Sequence, residues 1–130
     1  MKKDYQLIIF DLDGTLVDTH IDIANAVNHA LKSLNLKTRS NEDVRKCIGK
    51  GIHNLLMQLL SVEEQQHLDD LLKYLRPYYR DHIAVYSRPF DGVTDLLESL
   101  KARNKKLAIA TNKPSYFTVP LIETLQLTYY

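Results

Sequence analysis

The chain has one cysteine, Cys47, in 130 residues, so no disulfide can form within it and its thiol content gives no sign of an oxidising compartment. Cys47 is expected to pack. Long apolar runs are missing too. The N-terminal MKKDYQLIIFD has four consecutive apolar residues, Leu7 to Phe10, before Asp11, too few for a signal-peptide core or a membrane span. The expectations are a cytoplasmic location and no membrane partner. Nor is there an excess of either charge. With 17 Lys and Arg against 16 Asp and Glu, a formal net charge of +1 gives nucleic acid or an anionic surface no electrostatic handle. Internal repeats and low-complexity segments are absent. The histidines His20, His29, His53, His67 and His82 have no ligand spacing such as HExxH, which leaves them packing or surface roles. The remaining composition, 45% hydrophobic and 25% charged, is that of a globular protein long enough to bury a core.

Against that plain background, LIIFDLDGTLVDT, residues 7–19, stands out. Leu7, Ile8, Ile9 and Phe10 make a short strand apolar on both faces, suited to the buried middle of a parallel sheet whose C-terminal edge binds ligands. Asp11 and Asp13 stand at that edge. Residues i and i+2 of an extended segment point the same way, so both carboxylates can face one ligand while Leu12 turns into the protein. This suits a nucleophile beside an acid/base partner. Gly14 allows the backbone to turn its N–H groups towards an anion, and the Thr15 hydroxyl is expected to hold the turn. On the residues alone, DLDG is equally a strand end with solvated aspartates. A calcium loop of the EF-hand type is disfavoured, since its glycine comes sixth and Gly14 comes fourth.

Further along, Thr19 with Asp22, Ser40 with Asp43 and Ser61 with Glu64 each have the spacing of a capping box. They predict helices over 20–34, from about 41, and from about 62. Residues 52–60 are expected to be helical as well. Leu68, Leu71, Leu72 and Leu75 form one stripe of the next segment, which Pro77 should kink or divide. Tyr74, Tyr78 and Tyr79 are assigned to the core of this helical insertion. After the breaker cluster Ser87 to Gly92, Val93, Leu96, Leu97 and Leu100 mark a helix ending in the basic run Lys101 to Lys106. Leu107 to Ala110 is a second short strand, with Thr111, Asn112 and Lys113 at its end. Pro114 opens a helix to about Leu125. LQLTYY then approaches what would be a third strand.

DLDGTLVDT followed by a helix resembles the first motif of the haloacid dehalogenase superfamily of aspartate-based phosphatases, and LAIATNKP, residues 107–114, resembles its second. Phosphoglycolate phosphatase-like enzymes with a helical cap are the nearest likeness, along essentially the whole chain. The resemblance implies an α/β fold: a partial Rossmann-like parallel sheet (first two strands) from residues 1–17 and 87–130, with an inserted α-helical cap domain over 18–86. It implies a magnesium-dependent phosphatase acting on a small phosphorylated metabolite through an aspartyl-phosphate. Asp11 would be the nucleophile, Asp13 the acid and then the base, and both would serve the metal. Gly14, Thr15, Thr111 and Asn112 would bind phosphate. In RKCIGKG, residues 45–51, which resembles the loop that closes over substrate, Arg45 and Lys50 are the candidates for a substrate carboxylate. A solvated helix face with a glycine C-cap suits that spacing equally.

Lys113 either adds positive potential near the phosphate or points to solvent. The family's catalytic lysine, its third motif, belongs to a later segment, and that lysine and the acidic fourth motif lie beyond Tyr130. Asp91 stands where relatives carry proline. Two other readings stay open: a catalytically incompetent truncated fragment acting as a binding or structural module, and a phosphosugar mutase-like phosphotransferase. With part of the sheet missing, the first strand would have an unpaired apolar edge, which predicts homo-oligomerisation, complementation by a partner or marginal stability.

Overall fold

The computed structural model describes residues 2–130, so residue 1 of the expected N-terminal core segment lies outside it. The architecture is mixed α/β. Strand β1, Leu7–Phe10, leads through a tight turn to the two-residue β2, Val17–Asp18. Four helices follow: α1, His20–Ser33; α2, Asn41–Lys46; α3, Ile52–Leu59; and α4, Leu68–Asp81. The chain returns through β3, Arg88–Pro89, to α5, Val93–Ala102, then β4, Lys106–Ile109, and α6, Ser115–Thr124.

Strands β1 and β4 pair in parallel, in the register Leu7 with Lys106 through Phe10 with Ile109. β2 and β3 pair antiparallel, Val17 with Pro89 and Asp18 with Arg88, where the chain enters and leaves the four helices. This second pairing has no sequence signal, being two residues long on each side. The strand β1 was expected to be buried on both faces, yet Leu7 is 50% and Ile9 59% exposed. Its only partner strand among the described residues is β4, and alternate residues of both strands are exposed, so one face of this two-stranded sheet is uncovered. LQLTYY forms a 3₁₀ turn, Leu127–Tyr129, rather than the approach to a third strand. Gln126 enters the left-handed region with φ 57°, which breaks the chain's direction, and Leu127 drops into the core.

The core runs from Leu12, Leu16 and Val17 through Val27 and Leu31 of α1 to Leu71, Leu75 and Tyr79 of α4, and on to Phe117 and Leu121 of α6. α4 packs along α1, and it continues through Pro77 unbroken. Leu71, Leu72 and Leu75 before the proline and Tyr79 after it are all buried. That tertiary packing offsets the roughly 3 kcal/mol a mid-helix proline costs.

Two of the three capping boxes are realised in some form. Ser40 Oγ accepts from Asp43 N at 3.1 Å. The Ser61–Glu64 box is reciprocal, with Ser61 N donating to Glu64 Oε2 at 2.9 Å and Glu64 N donating to Ser61 Oγ at 3.3 Å, and it opens a 3₁₀ turn, Glu64–His67, ahead of α4. The Ser61 N–H and, after it, the Arg39 guanidinium hold the Glu64 carboxyl below its ordinary 4.5. An acid held down in this way contributes stability above its unfolded value, and the contribution disappears as pH falls through the folded one. Glu64→Ala should therefore cost about 1 kcal/mol at pH 7, the usual value of such a cap. Urea unfolding at pH 7 and pH 3 checks this, and an equal gap at both pH values would contradict it.

The third box does not form. Thr19 is buried and makes no side-chain cap, and Asp22 is 2% exposed. Asp22 reaches across to the segment returning from the helices, accepting from Tyr86 N, Ser87 N at 2.8 Å and Ser87 Oγ at 2.6 Å. Burial decides the outcome, because a buried carboxylate needs several donors and one helix terminus cannot supply them.

Candidate active site

β1 ends at Asp11, and the next residues wind into a turn around one carbonyl. Leu12 O accepts from Thr15 N at 3.1 Å, Leu16 N at 3.0 Å and Val17 N at 3.1 Å, and Gly14 N donates to Val17 O at 2.9 Å. Gly14 takes φ +76° with open space where a Cβ would sit, so backbone conformation alone favours glycine there. The turn is thus held by main-chain hydrogen bonds. The Thr15 hydroxyl, expected to hold it, takes no part in them. Leu12 is fully buried, which leaves Asp11 and Asp13 on the other side, both lining one pocket.

Ala110 N donates to Phe10 O at 2.9 Å, extending the parallel pairing beyond β4 and bringing Thr111, Asn112 and Lys113 alongside the aspartates. All three line the same pocket. Thr111 Oγ1 accepts from Lys113 N at 3.1 Å, a local turn that sends the Lys113 side chain inward. Lys113 does not point to solvent. Its side chain is 6% exposed, and Nζ donates to Asp13 Oδ1 at 2.8 Å. Thr19 Oγ1 donates to the same oxygen at 2.7 Å. Burial pulls the Lys113 ammonium below its ordinary 10.5, and Asp13 opposes that pull.

No local spacing rule connects Asp13 to a lysine 100 positions later. The in-phase register of β1 and β4 could have found it, since extending the Phe10–Ile109 pairing past both strand ends sets Lys113 close to Asp13.

The loop between α2 and α3 forms the opposite wall. Ile48, Gly49, Gly51 and Ile52 line the pocket, and Asn112 Nδ2 donates to Gly49 O at 2.8 Å. Gly51 has φ +85°, and a Cβ there would lie 3.3 Å from the Asn112 carbonyl, so both conformation and proximity favour glycine. Arg45 and Lys50, the sequence's candidates in this loop, are not among the lining residues. The exposed Arg45 Nη1 lies 3.5 Å from Glu42 on the surface of α2. Lys50 is exposed and its carbonyl accepts from Asn54 Nδ2 at 2.9 Å. The loop reaches the site with its backbone and isoleucines, because charged side chains on so short a segment stay in water.

Tyr79 lines the pocket as well, beyond the packing role assigned to it, with Lys113 Nζ 4.8 Å from its ring centre. The pocket is partly open, with a cavity volume of about 40 Å³, enough to admit water.

Magnesium takes oxygen ligands in near-octahedral geometry, and uses one or two carboxylates together with waters and phosphate oxygens. The Asp11 carboxylate of this pocket fits that chemistry, and it and the Asp13 main-chain carbonyl are the groups that would hold the ion. Among the described residues no three His, Cys, Asp or Glu side chains gather where they could hold a metal by themselves.

A strand ending in two alternate carboxylates, joined by a second parallel strand that delivers Thr-Asn-Lys to the same crevice, also characterises a known family. Its model, the haloacid dehalogenase-like hydrolase, matches residues 8–130. The chain belongs to that family. Among its relatives in the haloacid dehalogenase-like hydrolases is the phosphoglycolate phosphatase of Nitrosospira multiformis, 37% identical over an alignment 128 positions long that covers 95% of this chain and 56% of that protein. The phosphoglycolate phosphatase of Agrobacterium fabrum is 34% identical over 95% of this chain and 55% of its own. The chain spans about half the length of the curated relatives it matches. Among solved structures, a predicted phosphoglycolate phosphatase from Haemophilus somnus 129PT superposes with a TM-score of 0.89 at 32% identity, covering 96% of this chain and 59% of that one. A predicted phosphatase from Clostridium acetobutylicum gives 0.84 at 28% identity, covering 97% and 58%. No helix among the described residues is long and apolar enough to cross a membrane.

Proposed function

We propose that the chain carries the nucleophile half of a magnesium-dependent phosphatase for a small phosphomonoester, with phosphoglycolate the first candidate. The observation that carries this reading is the Asp13 carboxylate, fixed through one oxygen by Lys113 and Thr19 beside a second carboxylate, Asp11, in one pocket. The Asp11 oxygen attacks phosphorus while the ester P–O bond breaks, giving an acyl phosphate on Asp11 and an alkoxide that takes a proton from Asp13. Asp13 then removes a proton from water, whose oxygen attacks the same phosphorus and returns Asp11 as a carboxylate. Lys113 and Thr19 occupy Oδ1, and among the described residues no hydrogen bond engages Oδ2, which is left to carry the proton. Thr111 and Asn112 donate to the phosphoryl oxygens. Magnesium, when bound, offsets the repulsion between the Asp11 carboxylate and the phosphoryl group.

The first test is magnesium-dependent phosphate release by the 130-residue chain from phosphoglycolate and from phenyl phosphate. Lys113→Met should lower kcat on the order of 10²-fold, the lower range for losing the orientation of the proton donor Asp13, with a smaller change in KM. Retention of more than half of kcat would remove Lys113 from the proposed machinery. A second reading, a module that binds phosphate esters without turning them over, is favoured by the sparse acidic set, since among the described residues Asp11 and Asp13 are the only acids lining the pocket. Binding of phosphoglycolate without release of phosphate would decide for it.

A further inference from the structure

The Tyr79 hydroxyl has no assigned work in the chemistry above. Tyr79 is 2% exposed, its ring packed edge-on against Phe117 at 4.8 Å and beneath the Lys113 ammonium. Its Oη is the one buried side-chain nitrogen or oxygen, among the described residues, with no hydrogen-bond partner. Such a hydroxyl is costly to bury, and a phenylalanine would fill the same ring space without that cost.

The nearby acceptors do not answer the hydroxyl. Asp13 and Asp22 are near enough to push the phenol's proton affinity up, after the larger effect of burial. Asp13 Oδ1 is taken by Lys113 and Thr19, and Asp22 by the Tyr86 and Ser87 amides and the Ser87 hydroxyl, while the open Asp13 Oδ2 makes no hydrogen bond to the phenol. The phenol therefore stays protonated and acts as a donor, on a residue that lines the pocket close to the proton-carrying aspartate.

We infer that Tyr79 determines specificity by donating its hydroxyl to an acceptor oxygen on the leaving portion of the substrate, a carboxylate in the class of 2-phospho-acids. The inference rests on the proposed phosphatase reading for which side of the pocket receives the leaving group, and it can be tested by binding alone. A site built to hydrogen-bond a substrate group discriminates strongly against an analogue lacking the matching partner.

The test compares Asp11→Asn with Asp11→Asn/Tyr79→Phe by calorimetric titration with phosphoglycolate and with ethyl phosphate, which has similar size and no carboxylate. The Tyr79→Phe change should reduce the preference for phosphoglycolate over ethyl phosphate about tenfold. It should also leave the melting temperature equal or higher, because an unpaired hydroxyl is removed. An unchanged preference, failure of phosphoglycolate to bind, or a fall in melting temperature, which would mark the hydroxyl as part of a buried structural network, would each overturn the inference. If both ligands bind as expected but the unsubstituted chain releases no phosphate, the catalytic reading fails and the Tyr79 assignment stands.

Discussion

Asp11→Asn is expected to bring magnesium-dependent phosphate release down to the buffer background, a fall of at least about 10⁴-fold, with melting temperature nearly unchanged. The large loss follows from the chemistry, since an amide is a poor nucleophile and no other carboxylate occupies its place. Asp13 cannot substitute for it, because one of its oxygens is already bound by Lys113 and Thr19. The small structural cost follows from location. Asp11 is exposed, and among the described residues its one side-chain hydrogen bond is accepted from the adjacent Leu12 N–H at 2.8 Å, which an amide oxygen can also accept. A variant with more than a few per cent of the original rate would show that Asp11 is not the nucleophile. Trapped acyl phosphate in the unsubstituted chain, absent from the variant, would identify the attacked residue directly. Discharge of that intermediate by a sugar phosphate in preference to water would move the chain to the mutase-like alternative.

Asp22→Ala is expected to be the most damaging single change to stability, at about 3–5 kcal/mol in urea or thermal unfolding. Asp22 is buried and joins the start of α1 to residues 86 and 87, which lead out of the helical segment and into β3. Removing the carboxylate leaves the buried Ser87 amide and hydroxyl without partners, along with the part-buried Tyr86 amide. Asp22→Asn should cost less, since one amide oxygen can still accept. A loss below 1 kcal/mol for the alanine variant would mean that water satisfies those donors and that the bridge adds little. The expected size approaches the whole stability of a small domain, so the alanine variant is best examined at low temperature.

Much of the local structure was legible from residue pattern. LIIF stopping at DLDG predicted a strand, a turn and two carboxylates on one side, and the buried Leu12 between them follows from the two-residue alternation. The helices over 20–34 and 52–60 and the second strand near 107 came from periodicity and capping, which act within one turn of chain. Where sequence reasoning erred, longer-range contacts overrode a local rule. Thr19 and Asp22 have capping-box spacing, yet burial sent the first to Asp13 and the second to Ser87. Pro77 did not divide α4, because packing held the helix on both sides of it.

The amino-acid sequence by itself determined the elements, the order of the two motifs and the identity of the paired carboxylates, because each depends on neighbours within a few residues. The tertiary structure decided the membership of the site. Parallel register brought Lys113 to Asp13, and the packing of α4 placed Tyr79 in the same pocket with a hydroxyl that none of the described residues satisfies. It left Arg45 and Lys50 outside the lining while the backbone of their loop closed over Asn112. Contacts across this many residues depend on which surfaces find one another when the core forms, and spacing along the chain does not encode that.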